Sequence, residues 1–359
     1  MISTAQYAAL LNRIDDLEGD NRFLPYVGSL RKEIDDMNKD FYTEVAKGNV
    51  PGHRVIHKFG VNGQIDIASG FEAIWNGGGT YTGHNATAAQ AIEVFSSNAA
   101  DVGTLLSSGT TTGGSATTIT DSGATFVSDG VAAGDLVIND TQKDHAVIVS
   151  LTETELTFFS MDDKSISATS DAYRVVSDGS TGCSVIRIAN ALDGNWAEAY
   201  EYVILNGVTG VDTVGTYLRC STVKCIGALN NVGAITARQK TTTANIFAVL
   251  PAGYNSTMMA AFTVPAGETG FFIHWFAAMD KKTAATSVVR LRAGQYGQSF
   301  QVKEESAVGA NSSGGLDRIY RAPKNSLTER TDIFIEADTD ANNTGISAGF
   351  DILLIQDGY

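Results

Sequence analysis

Thr257-Met-Met-Ala-Ala-Phe-Thr-Val264, the turn Pro265-Ala-Gly267, and then Phe271-Phe-Ile-His-Trp-Phe-Ala277 form the stretch that decides the fold. Two apolar runs of strand length flank a short segment carrying proline and glycine, the residues that reverse a chain most cheaply. Outward from here the same pattern recurs. Strands are expected at Cys183–Ile188, Tyr200–Leu205, Tyr217–Val223, Ala234–Arg238 and Ile246–Leu250 upstream. Downstream they are expected at Ser287–Arg292, Phe300–Glu304, Asp332–Ala337 and Gly349–Ile355. Glycine or Asn-Gly separates many of them, with almost no helical pattern between. The expected fold is mainly β, an antiparallel sandwich or jelly-roll-like body.

One segment reads as an insertion. Residues 103–178 open on a stretch containing the low-complexity run Gly109-Thr-Thr-Thr-Gly-Gly-Ser115. Four or five short apolar runs follow, among them Gly134-Asp-Leu-Val-Ile138, His145-Ala-Val-Ile-Val-Ser150 and Ala172-Tyr-Arg-Val-Val176. That is enough for a small β-barrel or sandwich module with Gly/Ser-rich ends. The body is then divided into 51–102 plus 179–250 as its first part, and 251–359 as a C-terminal β-sandwich.

Residues 1–50 differ from the rest. Leu10, Leu11, Ile14 and Leu17 recur at helical steps, and Leu30, Ile34, Met37, Phe41 and Val45 make a second stripe ended by Gly48 and Pro51. Two narrow stripes cannot build a core alone, so this arm is expected to dock elsewhere. Leu10, Leu11, Ile14, Leu17, Ile34, Met37 and Phe41 are the candidate attachment or oligomer interface.

Bulk composition narrows the function classes. With 43% hydrophobic and only 18% charged residues, the 359-residue chain is folded, and its length suggests two or three compact units. A net charge of −15 repels phosphates and anionic lipids, so neither nucleic acid nor a membrane surface is an expected partner. No run approaches the roughly 18 apolar residues of a membrane span. The start Met-Ile-Ser-Thr-Ala-Gln lacks a signal-peptide pattern, so synthesis and first folding in a cytoplasm are expected. Three irregularly spaced cysteines, Cys183, Cys220 and Cys225, read as buried free thiols and not as a disulfide framework.

Chemistry is hard to find. His53 and His57 have a four-residue spacing but lie beside Pro51 in a β-leaning stretch, and zinc wants three or four converging ligands. Gly77-Gly-Gly79 is followed by Thr80-Tyr-Thr with no lysine, which suits a turn better than a phosphate loop. Asp338-Thr-Asp340-Ala-Asn342 imitates a calcium loop but has Asn343 and Gly349 where glycine and glutamate belong. Trp75, Trp196 and Trp275 are dispersed and read as core residues; no carboxylate pair in an aromatic setting marks a glycosidase. The expectation is a chain with no catalytic, metal or cofactor site.

Several stretches resemble a family of tailed-bacteriophage virion structural proteins. They are Val55-Ile-His-Lys-Phe-Gly60, Gly70-Phe-Glu-Ala-Ile-Trp75-Asn-Gly-Gly-Gly-Thr-Tyr-Thr82 and Ser96-Ser-Asn-Ala-Ala-Asp101. Beyond the insertion come Leu192-Asp-Gly-Asn-Trp196, Glu201-Tyr-Val-Ile-Leu-Asn-Gly207 and Ala341-Asn-Asn-Thr-Gly-Ile-Ser-Ala-Gly-Phe350. In proteins that look like this one, the position of Asp101 runs almost directly into the strand at Cys183. The resemblance covers most of 55–355 outside the insertion, and not the arm. It implies a non-enzymatic component of the virion surface: a capsid decoration or cement subunit, by analogy a homotrimer, that meets the major capsid protein or other virion proteins. The alternatives are a head, collar or tail fibre that binds a host glycan or receptor, and a capsule-degrading glycosidase.

Overall fold

A computed structural model describes residues 41–160, 170–178, 181–280, 285–309 and 315–359. Among them the chain is mainly β, with antiparallel sheets, one α-helix at Phe41–Ala46 and two single 3-10 turns. It divides into two compact units, one comprising residues up to 56 with 353–359, the other residues 57–352. In the first, the Gln356 N–H donates to the Gly52 carbonyl at 2.7 Å and Phe41 packs edge-on against His53.

The four-stranded sheet has the order His53–Ile65, Thr344–Gln356, Glu268–Asp280, Leu316–Leu327. A five-stranded sheet has the order Ala261–Thr263, Thr331–Thr339, Thr286–Gln295, Gln301–Gly309, and Glu72–Ala73 also pairs with Thr331–Thr339. A six-stranded sheet runs Glu198–Ile204, Val185–Asp193, Val211–Ile226, Gln90–Ser96, Ile235–Gln239, Ile246–Leu250. Residues 53–73, which the sequence division grouped with the first part of the body, thus pair with strands from 261–356. The reason is the register: Glu72 lies opposite Ala337, next to Ala261 opposite Phe334 on the same edge.

The expected strand at Thr257–Val264 shrinks to Ala261–Thr263 because its partners change along its length. The Thr257 N–H donates to Val223, the Ala260 N–H to Ile74, and Ala261 pairs with Phe334, so no single ladder forms. Conversely, Leu316–Leu327 is a strand that alternation does not announce. It lies at the edge of its sheet, where charges and a proline are tolerated.

A seven-stranded sheet is built only from residues 104–177, in the order Thr104–Thr110, Ala172–Ser177, Leu136–Asn139, Asp144–Leu151, Glu155–Ser160, Thr118–Thr120, Gly113–Ser115. It has its own core of Ile119, Phe126, Val137, Ile148, Leu156, Phe158 and Tyr173. Its two ends meet at one buried carboxylate. Asp101, fully buried, accepts from the N–H groups of Cys183 (3.0 Å), Val232 and Gly233 (both 2.8 Å) and from the Ser96 hydroxyl (2.6 Å). Gly182 is needed here, since a Cβ would strike the Asp101 carboxylate and the Ala100 carbonyl. Leu136, Ile138 and Val176 then pack against Val185, Tyr202 and Ile226 of the body.

The six- and five-stranded sheets are joined by a buried ion pair. The Arg219 Nε and Nη2 donate to the two Asp332 oxygens at 2.7 and 2.8 Å, and Nη1 donates to the carbonyls of Ala86 and Leu218. Thr263 Oγ1 donates to the same carboxylate at 2.6 Å, and the guanidinium stacks over Trp196. Asp332→Ala leaves this cation buried and unpaired, and is expected to cost about 3–5 kcal/mol. Arg219→Met with Asp332→Leu together should recover much of that loss; urea denaturation of the three proteins measures both.

Candidate functional site

The outward face of the four-stranded sheet carries a continuous row of ionisable side chains, one from each strand. His57 Nδ1 meets Asp351 Oδ1 at 2.5 Å, His274 Nδ1 meets Asp351 Oδ2 at 3.0 Å, and His274 Nε2 meets Asp317 Oδ1 at 2.6 Å. Strand alternation places His57 and Asp351 outward. For His274 the alignment depends on a bulge: register shifts at Phe271–His274 let Phe272 and Ile273 both be buried, after which His274 and Phe276 face out. Phe276 lies between His57 and Phe59, stacked at 6.0 and 6.2 Å. Gly349 makes room for it, because a Cβ there would strike the Phe276 ring and the Lys58 carbonyl. Ile319 adds an apolar side chain 73% exposed.

Burial pulls the His274 imidazole down, but its hydrogen bonds to Asp317 and Asp351 and their charges outweigh it, and the net direction is up. Protonated, it donates from both nitrogens, one to each carboxylate. Neither imidazole of the row is hydrogen-bonded to a serine, threonine or cysteine among the described residues. The row can hold protons and present aromatic surface.

The opposite face of the same edge strand buries Lys58. Its ammonium donates to the Ser221 carbonyl (2.6 Å), Ser221 Oγ (3.3 Å) and Thr222 Oγ1 (3.2 Å), without a carboxylate among those partners. Burial lowers its pKa to about 7. Burial likewise pushes the Cys220 thiol up to about 12, so this cysteine is held as an inert thiol.

The chain matches no protein-family model and no curated protein.

The residues singled out by sequence go to separate places. Leu10, Leu11, Ile14, Leu17, Ile34 and Met37 lie outside the described residues. Phe41 opens the helix Phe41–Ala46, 45% exposed. Cys183 and Cys220 are buried, but Cys225 is half-buried where full burial was expected, since it lies next to the end of its strand. His53 bonds the Pro51 carbonyl. Gly78 and Gly79 turn the chain at φ +65° and +61°, and Gly79 N–H donates to Glu72. Asp340 and Asn342 accept from the N–H groups of Thr286 and Ile67 in the turn before the last strand, with Asn343 at φ +54°. Among the described residues no group of three or more acidic, histidine or cysteine side chains is arranged to hold a metal. The row on the sheet escaped sequence reading because outward parity shows in the sequence, while the partner strand does not.

His274 and Lys58 give opposite pH dependences. His274 is raised, so its contribution is complete below the unfolded value of 6.5 and is lost as pH climbs through the folded-state value. Lys58 is lowered, so stability is gained through it as pH climbs from about 7 to 10.5. Thermal unfolding measured from mildly acid to alkaline pH should lose the first component in His274→Gln and the second in Lys58→Met.

Proposed function

We propose that this chain is a non-enzymatic structural subunit of a tailed-phage virion, an oligomeric decoration or cement protein on the particle surface. The observation that carries the reading is a strand order. Counted from His53–Ile65 as the first and Ala261–Thr263 as the second, the eight strands of the four- and five-stranded sheets (Glu72–Ala73 aside) fall in the orders 1-8-3-6 and 2-7-4-5. That is the order of a double-sheet jelly roll, an architecture frequent in viral shells and in lectins. Fold alone does not give function. The sequence resemblance to virion proteins supplies the particle, and the jelly-roll reading agrees with it.

In this reading residues 74–260 enter the jelly roll between its first two strands, and 103–178 is a further module set into that insertion at the Asp101 clasp. The subunit works by complementary surface: roughly 1,600 Å² is typical of a stable contact, and many symmetric copies add avidity. The arm at 1–50 is the anchoring or trimer-forming element, with the major capsid protein or a neighbouring virion protein as its partner. A second reading, a head, collar or tail fibre that meets the host surface, is favoured by the self-contained sheet at 104–177.

Immunogold labelling and quantitative mass spectrometry of purified particles test the reading. Hundreds of copies over the head support decoration, a few dozen or fewer at one vertex or on the tail support a fibre, and absence from particles overturns both. Deleting residues 1–47 is expected to leave a soluble folded body that no longer joins particles; unchanged incorporation rejects the anchoring role. Replacing 103–178 by a short Gly/Ser joint should leave the remainder folded with its thermal transition preserved, because Asp101 already holds Cys183 beside it. Wholesale misfolding counts against a separate module.

A further inference from the structure

The ionisable row on the four-stranded sheet ends on the two edge strands, with the His57 side chain 61% exposed at one end and that of Asp317 73% exposed at the other. Its internal contacts use His57 Nδ1, both Asp351 oxygens, both His274 nitrogens and Asp317 Oδ1. His57 Nε2 and Asp317 Oδ2 are left without a partner among the described residues. The middle of the row is satisfied within the chain. Its ends are a free donor, when the imidazole is protonated, and a free acceptor.

The order across the sheet is His57, Asp351, His274, Asp317, on strands His53–Ile65, Thr344–Gln356, Glu268–Asp280 and Leu316–Leu327. An alternating row of four is complementary to itself. A two-fold axis lying along the strands sets a second copy face to face with the first and reverses the order. His57 then meets Asp317 of the second copy, and Asp351 meets its His274. An axis across the strands would set each charge on its own like, so the charges select one of the two packings.

Apolar surface accompanies the charges. Phe59 and Ile319 are exposed, Phe276 is stacked on Phe59, and Gly349 keeps the face low beside Phe276. The four strands are 12 or 13 residues long. At about 4.8 Å between strands and about 3.3 Å per residue they present roughly 800 Å², one partner's share of a standard interface. The groups that face His274 are Asp351 from one neighbouring strand and Asp317 from the other; His57 lies beyond Asp351, and Asp280 at the end of the same strand.

We infer that this face is a docking surface for a second copy of the chain, closed by reciprocal His57–Asp317 contacts and dependent on protonated imidazoles. The inference rests on the face and not on the particle reading, and it adds a two-fold contact to the unit that the arm at 1–50 assembles. Imidazoles carry charge on the acid side of neutrality. Above it each row is left with two carboxylates, and the chain charge of −15 drives the copies apart.

Sedimentation of the full chain is expected to show a doubled mass at about pH 6 and not at about pH 8. His57→Glu sets a like charge opposite Asp317 at both ends of the contact, and Asp317→Lys does the same opposite His57. Each variant alone should weaken the doubling roughly tenfold or more. An equimolar mixture of the two should restore it, because one end then pairs glutamate with lysine and the other keeps His57 with Asp317. An unchanged mass at both pH values, which leaves the face to another partner, would overturn the inference. So would doubling that survives either variant, or a mixture no better than its components.

Discussion

The Arg219–Asp332 pair is the constraint on which the body depends. A guanidinium 3% exposed and a carboxylate 8% exposed are stable in a protein interior only when both are saturated, and here four further groups see to it: the Ala86 and Leu218 carbonyls, the Thr263 hydroxyl and the Trp196 ring. Those groups come from segments far apart in the chain. The pair therefore adds little net energy over an apolar packing of the same shape, but it allows only one way for the six- and five-stranded sheets to meet. Around it, Tyr81 is buried and His84 half-buried, and both feel the desolvation: the tyrosine is driven up and the imidazole down.

Asp101 and Lys58 repeat this logic with different partners. Each is an ionisable group whose hydrogen bonds go to backbone and hydroxyl groups and not to an opposite charge. For Asp101, three backbone N–H groups gather three turns at one carboxylate. For Lys58 the result is a base poised near neutrality between its strand and Ser221–Thr222. Such buried polar knots do for a glycine- and threonine-rich β protein what large aromatic cores do elsewhere: they select one register among many similar ones.

How far the sequence could be read follows from that. The strands around Tyr217–Val223 and Asp332–Ala337 were legible because apolar runs of this kind have one use in an antiparallel sheet. Glycine and serine suggested borders for the 103–178 segment, and the strands of the seven-stranded sheet run from 104 to 177. Strand partners were not. Nothing in His57, His274, Asp317 and Asp351 taken singly announces that four strands bring them into a row. Pairing across hundreds of residues is decided by packing, which leaves no local trace. Of the helices expected in the arm, only Phe41–Ala46 lies among the described residues.

The pairing of His53–Ile65 with Thr344–Gln356 also has a consequence for biosynthesis. The first of these strands emerges from the ribosome nearly three hundred residues before the second, and it cannot take its place until the second arrives. Meanwhile the sheet at 104–177, whose partners are all close in sequence, can form on its own schedule. Assembly is thus ordered in time, the locally wired sheet early and the enclosing one last. A nascent chain cut short before Thr344 carries an open strand edge at His53–Ile65, which is where aggregation of truncated products would begin.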